Sequence, residues 1–251
     1  MTNTTERFSN RVEDYVKYRP GYPPEVLRLF RDEMSLTPES VVADIGSGTG
    51  ISARMFLENG NTVYAVEPND AMRAAAEEFL AGFDKFHSVS GTAENTMLPD
   101  GIADIVIAAQ AFHWFRSEET RREFKRILKK GGFAALIWNE RQTDTTEFLR
   151  EYEELILKYG SDYREVRHER VTDGLIREFF QHDFNTAVFS NGQSLDLDGL
   201  KGRTLSSSYM PNRSDPLFQP MIADLSALFA KHEEKGRIEV LYDTKVFYCA
   251  L

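Results

Sequence analysis

Val41-Val42-Ala43-Asp44-Ile45-Gly46-Ser47-Gly48-Thr49-Gly50 is the stretch on which the reading of this chain turns. Val41, Val42 and Ile45 make a short β-branched apolar run, the pattern of a strand buried on both faces in a parallel sheet. The run breaks into glycines at every second position and then into Ile51-Ser52-Ala53-Arg54-Met55-Phe56-Leu57, which has helical spacing. Strand, glycine turn and helix open a nucleotide-binding α/β unit, because glycines let the backbone approach a ligand at a helix N-terminus.

Asp44 narrows the ligand. A dinucleotide site calls for G-x-G-x-x-G with backbone amides presented to a pyrophosphate. Here the third glycine arrives one residue early and a carboxylate stands beside the turn, where it would repel a diphosphate and suit a ligand carrying an ammonium and a sulfonium. Glu67 follows 23 residues after Asp44, closing the run Thr62-Val63-Tyr64-Ala65-Val66. An acid at the end of a second strand is placed to accept from both hydroxyls of a ribose.

Asp44-Ile45-Gly46-Ser47-Gly48-Thr49-Gly50 followed by Val66-Glu67-Pro68 resembles the class I S-adenosylmethionine-dependent methyltransferases. The resemblance implies S-adenosyl-L-methionine as cofactor, held by Asp44, Gly46, Ser47, Gly48, Thr49, Gly50, Glu67 and Pro68. Ser90-Gly91-Thr92-Ala93-Glu94 resembles the family's adenine loop, so Thr92, Ala93 and Glu94 join that set. Many members carry an aspartate where Thr92 stands. Tyr15-Val16-Lys17-Tyr18-Arg19-Pro20-Gly21-Tyr22-Pro23 resembles the opening of small-molecule methyltransferases of the trans-aconitate type, whose N-terminal segment folds over the cofactor. This implies a lid over residues 6–30, Tyr15 near the cofactor, and Tyr18 and Arg19 near the chemistry. Arg126 to Phe133 also follows the family, although its lysines and glycines are explained by a helix ending at Gly131-Gly132. Leu205-Ser206-Ser207-Ser208-Tyr209-Met210-Pro211 resembles a C-terminal motif of the same group and draws Tyr209 towards the pocket.

The alternation of elements predicts a doubly wound, Rossmann-like, mostly parallel α/β sheet. Strands are expected at 41–45, 62–66, 86–90, 102–108 and 133–138, with helices at 50–58, 70–81 and 118–130. Phe8 and Val12 read as one face of an N-terminal helix, and a second helix starts with Pro24 in its first turn. After the fifth strand the alternation stops. A charged helical insertion is expected over 140–182, then a strand at 184–190, helices at 197–208 and 216–231, and an antiparallel C-terminal strand over 238–251. With 251 residues and no Pro/Gly/Ser linker, 1–251 reads as a single domain.

Ala108-Ala109-Gln110-Ala111-Phe112-His113-Trp114-Phe115 ends the fourth strand, where open α/β sheets bind ligands. The resemblance puts the methyl group and methionine moiety there. Gln110 is therefore expected at the cofactor and Phe112 and Trp114 at the acceptor. His113 is either a general base or a histidine satisfied by the backbone. Arg203, like Arg19, can hold an acidic acceptor. Methyl transfer from a sulfonium needs alignment and exclusion of water more than a strong base, so proximity catalysis on a small, acidic metabolite is the expectation.

Other classes fare less well. The net charge of −10 opposes nucleic acid as a partner. The single cysteine, Cys249, excludes an internal disulfide. His87, His168, His182 and His232 lack metal-ligand spacing, so no metal is expected. No long apolar window or secretory leader is apparent, and a cytoplasmic monomer or homodimer is the default. A module that binds S-adenosylmethionine without catalysis is the alternative, and a nicotinamide oxidoreductase a more distant one.

Overall fold

The computed structural model describes residues 17–115, 117–161, 163 and 172–251. Phe8, Val12, Tyr15 and His168 lie outside the described residues, as does the first part (6–16) of the expected 6–30 lid. The strands are β1 (Val41–Ile45), β2 (Thr62–Val66), β3 (Phe86–Val89), β4 (Ala103–Ala109), β5 (Leu128–Arg141), β6 (Asn185–Leu195) and β7 (Ile238–Ala250). They form one seven-stranded sheet in the order β3-β2-β1-β4-β5-β7-β6. β1 to β5 pair in parallel, and β7 runs antiparallel between β5 and β6. This is the mostly parallel, doubly wound architecture with an antiparallel C-terminal strand. The order reverses beside β1, which opens a crevice at the C-terminal ends of β1 and β4.

Each face of the sheet carries a core. On one face, α1 (Pro24–Met34) and α2 (Ile51–Glu58) bury Val26, Phe30, Ala53 and Phe56 against Val42, Val63 and Ile107. Pro24 sits in the first turn of α1, where its missing N–H costs nothing. α3 (Asp70–Phe79) starts where the Asn69 side chain accepts the Met72 amide at 3.0 Å. On the other face, α4 (Glu118–Ile127) and α6 (Asp173–Phe180) cover Val106, Leu136 and Trp138. A third core gathers α5 (Glu147–Tyr159), α7 (Leu197–Leu205) and α8 (Phe218–His232) over the far half of the antiparallel β6–β7 pair, around Tyr152, Leu200, Leu225 and Tyr242.

Three expectations need correction. The helix expected over 118–130 ends at Ile127, because Leu128 turns to extended backbone and pairs with Ala103. Lys129 and Lys130 thus open β5, and Lys129 reaches Asp104 at 2.7 Å instead of capping a helix. The strand expected at 184–190 runs on to Leu195, since the polar Asn191-Gly192-Gln193-Ser194 stays in register with β7. The two helices of the 140–182 stretch also part company. α5 belongs to the third core, whereas Ile176, Phe179 and Phe180 of α6 pack into the sheet core with Phe112 and Phe124. Among the described residues no helix is long and apolar enough to cross a membrane.

Candidate active site

A cavity of about 690 Å³ opens at the C-terminal ends of the central strands. Its first wall is the turn after β1. Gly46 and Ser47 donate their amides to the Val66 carbonyl, at 2.9 and 3.2 Å, so the turn stays tied to β2 as it leaves the sheet. At Gly46 (φ 70°) a Cβ would lie 2.8 Å from the Ala111 Cβ; here glycine is demanded by packing. At Gly48 (φ 56°) a Cβ would meet nothing within 4 Å, so the space above it belongs to the cavity. That is a cradle for a ligand approaching the backbone closely.

Glu67 closes this wall. One carboxylate oxygen accepts the Gly48 amide at 2.9 Å and the other the Asn69 amide at 2.9 Å. Each oxygen keeps a second lone pair, so two ligand hydroxyls can still be received. Burial pushes the Glu67 pKa up, against the lowering effect of those two amides and of Arg73. Asp44 is fully buried and does not line the cavity. Its Oδ2 accepts from the Ser52 hydroxyl at 2.6 Å, and Ser52 does line it. The expectation of a carboxylate facing the ligand is corrected to one acting from behind Ser52. Burial raises the Asp44 pKa to about 7, the Ser52 hydrogen bond opposing and the Glu67 charge adding to it.

Thr92, Ala93 and Glu94 line the cavity at the β3 side, next to Pro68. Thr92 is committed to its own turn, its carbonyl and hydroxyl both receiving the Asn95 amide. Gln110 ends β4 in left-handed backbone (φ 55°). Its side chain donates to the Asn139 carbonyl at 3.0 Å, and its Oε1 is buried with no hydrogen-bond partner among the described residues. Thr49 Oγ1 and Asp44 Oδ1 share that condition. Buried polar atoms without partners are uncommon, and two of these three belong to cavity-lining residues. Open backbone, an acid with spare lone pairs and orphaned acceptors fit a polar nucleoside-type cofactor.

Beyond β4 the wall changes character. The short 3-10 turn Phe112–Trp114 sends its members different ways. His113 lines the cavity, with its ring 4.3 Å from that of Trp114 and 5.3 Å from that of Trp138. Trp114 also lines it and is 40% exposed. Phe112 is fully buried, edge-on to Phe179 at 4.8 Å, which removes it from the acceptor side where the sequence placed it. Tyr18 is corrected too. Its ring packs so closely on Gly202 that a Cβ there would lie 2.1 Å away, and it does not line the cavity. Arg19 does, donating to the Ser206 carbonyl at 2.9 Å.

Arg203 and Tyr209 complete the far wall, together with residues that motif reading missed: Tyr22, Asn139, Arg141, Tyr163 and Tyr242. Arg141 ion-pairs with Glu153, and Tyr163 donates to the same carboxylate at 2.9 Å. Asn139 donates to the Gly21 carbonyl at 3.0 Å and accepts from Thr244 at 2.6 Å, pinning the N-terminal segment to the sheet. The available signal was position: Asn139 and Arg141 come just past the strand expected at 133–138, where β5 in fact runs on to Arg141, as Gln110 follows the fourth strand.

Comparison with known proteins bears on the family and the fold. The methyltransferase domain family matches residues 43–136. An uncharacterized methyltransferase of a Geobacillus species is 30% identical over 185 residues, 69% of this chain and 80% of that one. Other curated relatives are covered for only about six tenths of their length (59% and 62%). The fold is shared with a candidate type II methyltransferase of Anaeromyxobacter dehalogenans (TM-score 0.67, 20% identical, covering 93% of this chain and 98% of that one). It is also shared with phosphoethanolamine N-methyltransferase 2 of Haemonchus contortus in complex with S-adenosyl-L-methionine (TM-score 0.57, 14% identical, 96% and 57%). The chain belongs to the class I S-adenosylmethionine-dependent methyltransferase family.

Proposed function

We propose that this protein transfers a methyl group from S-adenosylmethionine to a small, acidic metabolite. The observation that carries the proposal is the continuity of one cavity, from the glycine turn and Glu67 at one end to an arginine- and tyrosine-rich wall at the other. A module that only bound the cofactor would need no such second wall. The bound cofactor supplies an electrophilic methyl; the acceptor's lone pair forms the new bond to carbon while the carbon–sulfur bond breaks, its pair staying on sulfur.

Glu67 and the Gly46–Thr49 part of the turn hold the ribose and the chain beyond it, whereas Gly50, expected at the cofactor, packs on Leu80 and does not line the cavity. Ala93 and its neighbours flank the base, and Gln110 Oε1 offers an acceptor between β4 and β5. Asp44 fixes Ser52, which lines the cavity beside the glycine turn. His113, between Trp114 and Trp138, borders the space past β4 and can take a proton from an acceptor that carries one. Most of the acceleration comes from holding two reactants together in a cavity that excludes water.

Incubation with methyl-labelled S-adenosylmethionine and a metabolite extract is the test, and a labelled small molecule is the expected product. His113→Ala is expected to lower turnover about 10²-fold or more, the scale of a general acid–base contribution. S-adenosylmethionine affinity in that variant stays near wild type. Turnover at the wild-type rate would make His113 a packing residue.

A further inference from the structure

Arg203 is a cation almost out of water. It is 7% exposed, yet it lines the cavity. Its Nε donates to the Tyr242 hydroxyl at 2.9 Å and its Nη1 to the Ser207 hydroxyl at 3.2 Å. Among the described residues no carboxylate pairs with it. Arg141, the other deeply buried arginine of the same wall, makes the contrast, because Glu153 neutralises it. Buried charges are ordinarily paired, since desolvation costs more than neutral hydroxyls return.

Two donors of the guanidinium are taken and Nη2 makes no hydrogen bond within the described protein. The Nη1–Nη2 end of the fork is left for a ligand, and its parallel N–H bonds match a carboxylate in two-point fashion. Tyr209, whose hydroxyl has no hydrogen bond within the described protein, lines the cavity with it. Arg19 lines the same cavity but donates to the Ser206 carbonyl, so the one fork at Arg203, set among hydroxyls, suits a monoanion. The cavity also has Asp144 and Asp243 on its lining, which oppose a second negative charge nearby, while Glu140 is ion-paired with Lys245.

Arg203 is bonded to Tyr242 of β7, and β7 is separated from β4 by β5. Two inter-strand steps of about 4.8 Å put roughly 10 Å between the end of β4, where His113 follows, and the arginine side. A carboxylate on the Arg203 fork is therefore not the group beside His113, and its charge is already neutralised.

The geometry points to a carboxylate anchor at Arg203: the acceptor is a bifunctional monocarboxylic acid, held there by its carboxylate and methylated on a different atom at the His113 side. This rests on the methyl-transfer reading and adds the acceptor's chemical class to it.

The test is calorimetric titration of protein saturated with S-adenosylhomocysteine, using acetate, butyrate and benzoate, each against its amide. Carboxylates are expected to bind at least tenfold tighter than the amides. Arg203→Gln is expected to abolish that preference while S-adenosylhomocysteine affinity stays within about twofold of wild type. Amides that bind as well as acids, or a preference that survives in a folded Arg203→Gln protein, would overturn the anchor. Should Arg203→Gln fail to fold, Arg203→Lys keeps the charge and loses the fork: a fall of severalfold in carboxylate affinity supports the anchor, and an unchanged affinity overturns it. In labelled product from the extract, the methyl is expected to survive mild alkali. Alkali-labile label, the mark of a methyl ester, would show the carboxylate to be the nucleophile and overturn it as well. A wild-type protein that fails to bind S-adenosylhomocysteine would strike the methyl-transfer reading itself, and the first titration distinguishes that failure.

Discussion

Asp44 has one carboxylate oxygen on Ser52 and the other buried without a partner among the described residues. Its pKa is about 7 in the folded protein, against an ordinary 3.8. A carboxyl whose folded pKa is raised stabilises the protein fully below the unfolded value, and that contribution is lost as pH rises through the folded value. Stability attributable to Asp44 should therefore fall between about pH 4 and pH 7, by an amount on the order of a few kcal/mol. Urea unfolding of wild type and Asp44→Asn at pH 5 and pH 8 checks it: the asparagine variant gains on wild type as pH rises. A difference between the two proteins that does not change with pH would contradict the account. The same residue shows how far local sequence carries a site. Its place two residues before the glycines was legible, but whether it met the ligand or stood behind Ser52 depended on the first turn of α2.

At the level of elements, the segment before α1 is the informative case. Arg19, Pro20 and Tyr22 line the cavity, while the Gly21 carbonyl is held by Asn139 and by Asn191 at 2.9 Å. Bound S-adenosylhomocysteine should slow amide exchange across residues 17–24, which hydrogen-exchange mass spectrometry reads directly. Equal exchange with and without it would remove this segment from the site. β1 and β4 were readable because each is a short apolar run closed by a turn signal and buried along nearly its whole length, and β2 and the edge strand β3 followed from the alternation of elements. After β5 the elements were legible, but how they pack was not. α6 looks like any charged amphipathic helix, and only the three-dimensional neighbours Phe112 and Phe124 show that its phenylalanines complete the sheet core. Asn191 to Ser194 carry turn-like composition, and only the partner strand β7 keeps them extended. Such partners are distant in sequence, so no local pattern announces them.

For the whole molecule, the sheet order decides where chemistry can occur. Reversal beside β1 opens the crevice, the parallel strands end along it, and the β6–β7 pair with α5, α7 and α8 adds a second wall. The cofactor half of the cavity was legible from two acids and three glycines. The acceptor half was legible only in Arg19, His113, Trp114, Arg203 and Tyr209, because Tyr22, Asn139 with Arg141, Tyr163 and Tyr242 come together from four separate places in the chain. The central claim is that the Glu67 end of this cavity binds S-adenosylmethionine. Isothermal titration of wild type and Glu67→Ala with S-adenosylmethionine, and of wild type with NADH, tests it most directly. The account predicts saturable binding of S-adenosylmethionine, a loss of about 1.5–3 kcal/mol in the variant, the scale of hydrogen bonds to a charged group, and no binding of NADH. Affinity unchanged by Glu67→Ala, or NADH bound as tightly as S-adenosylmethionine, would contradict it.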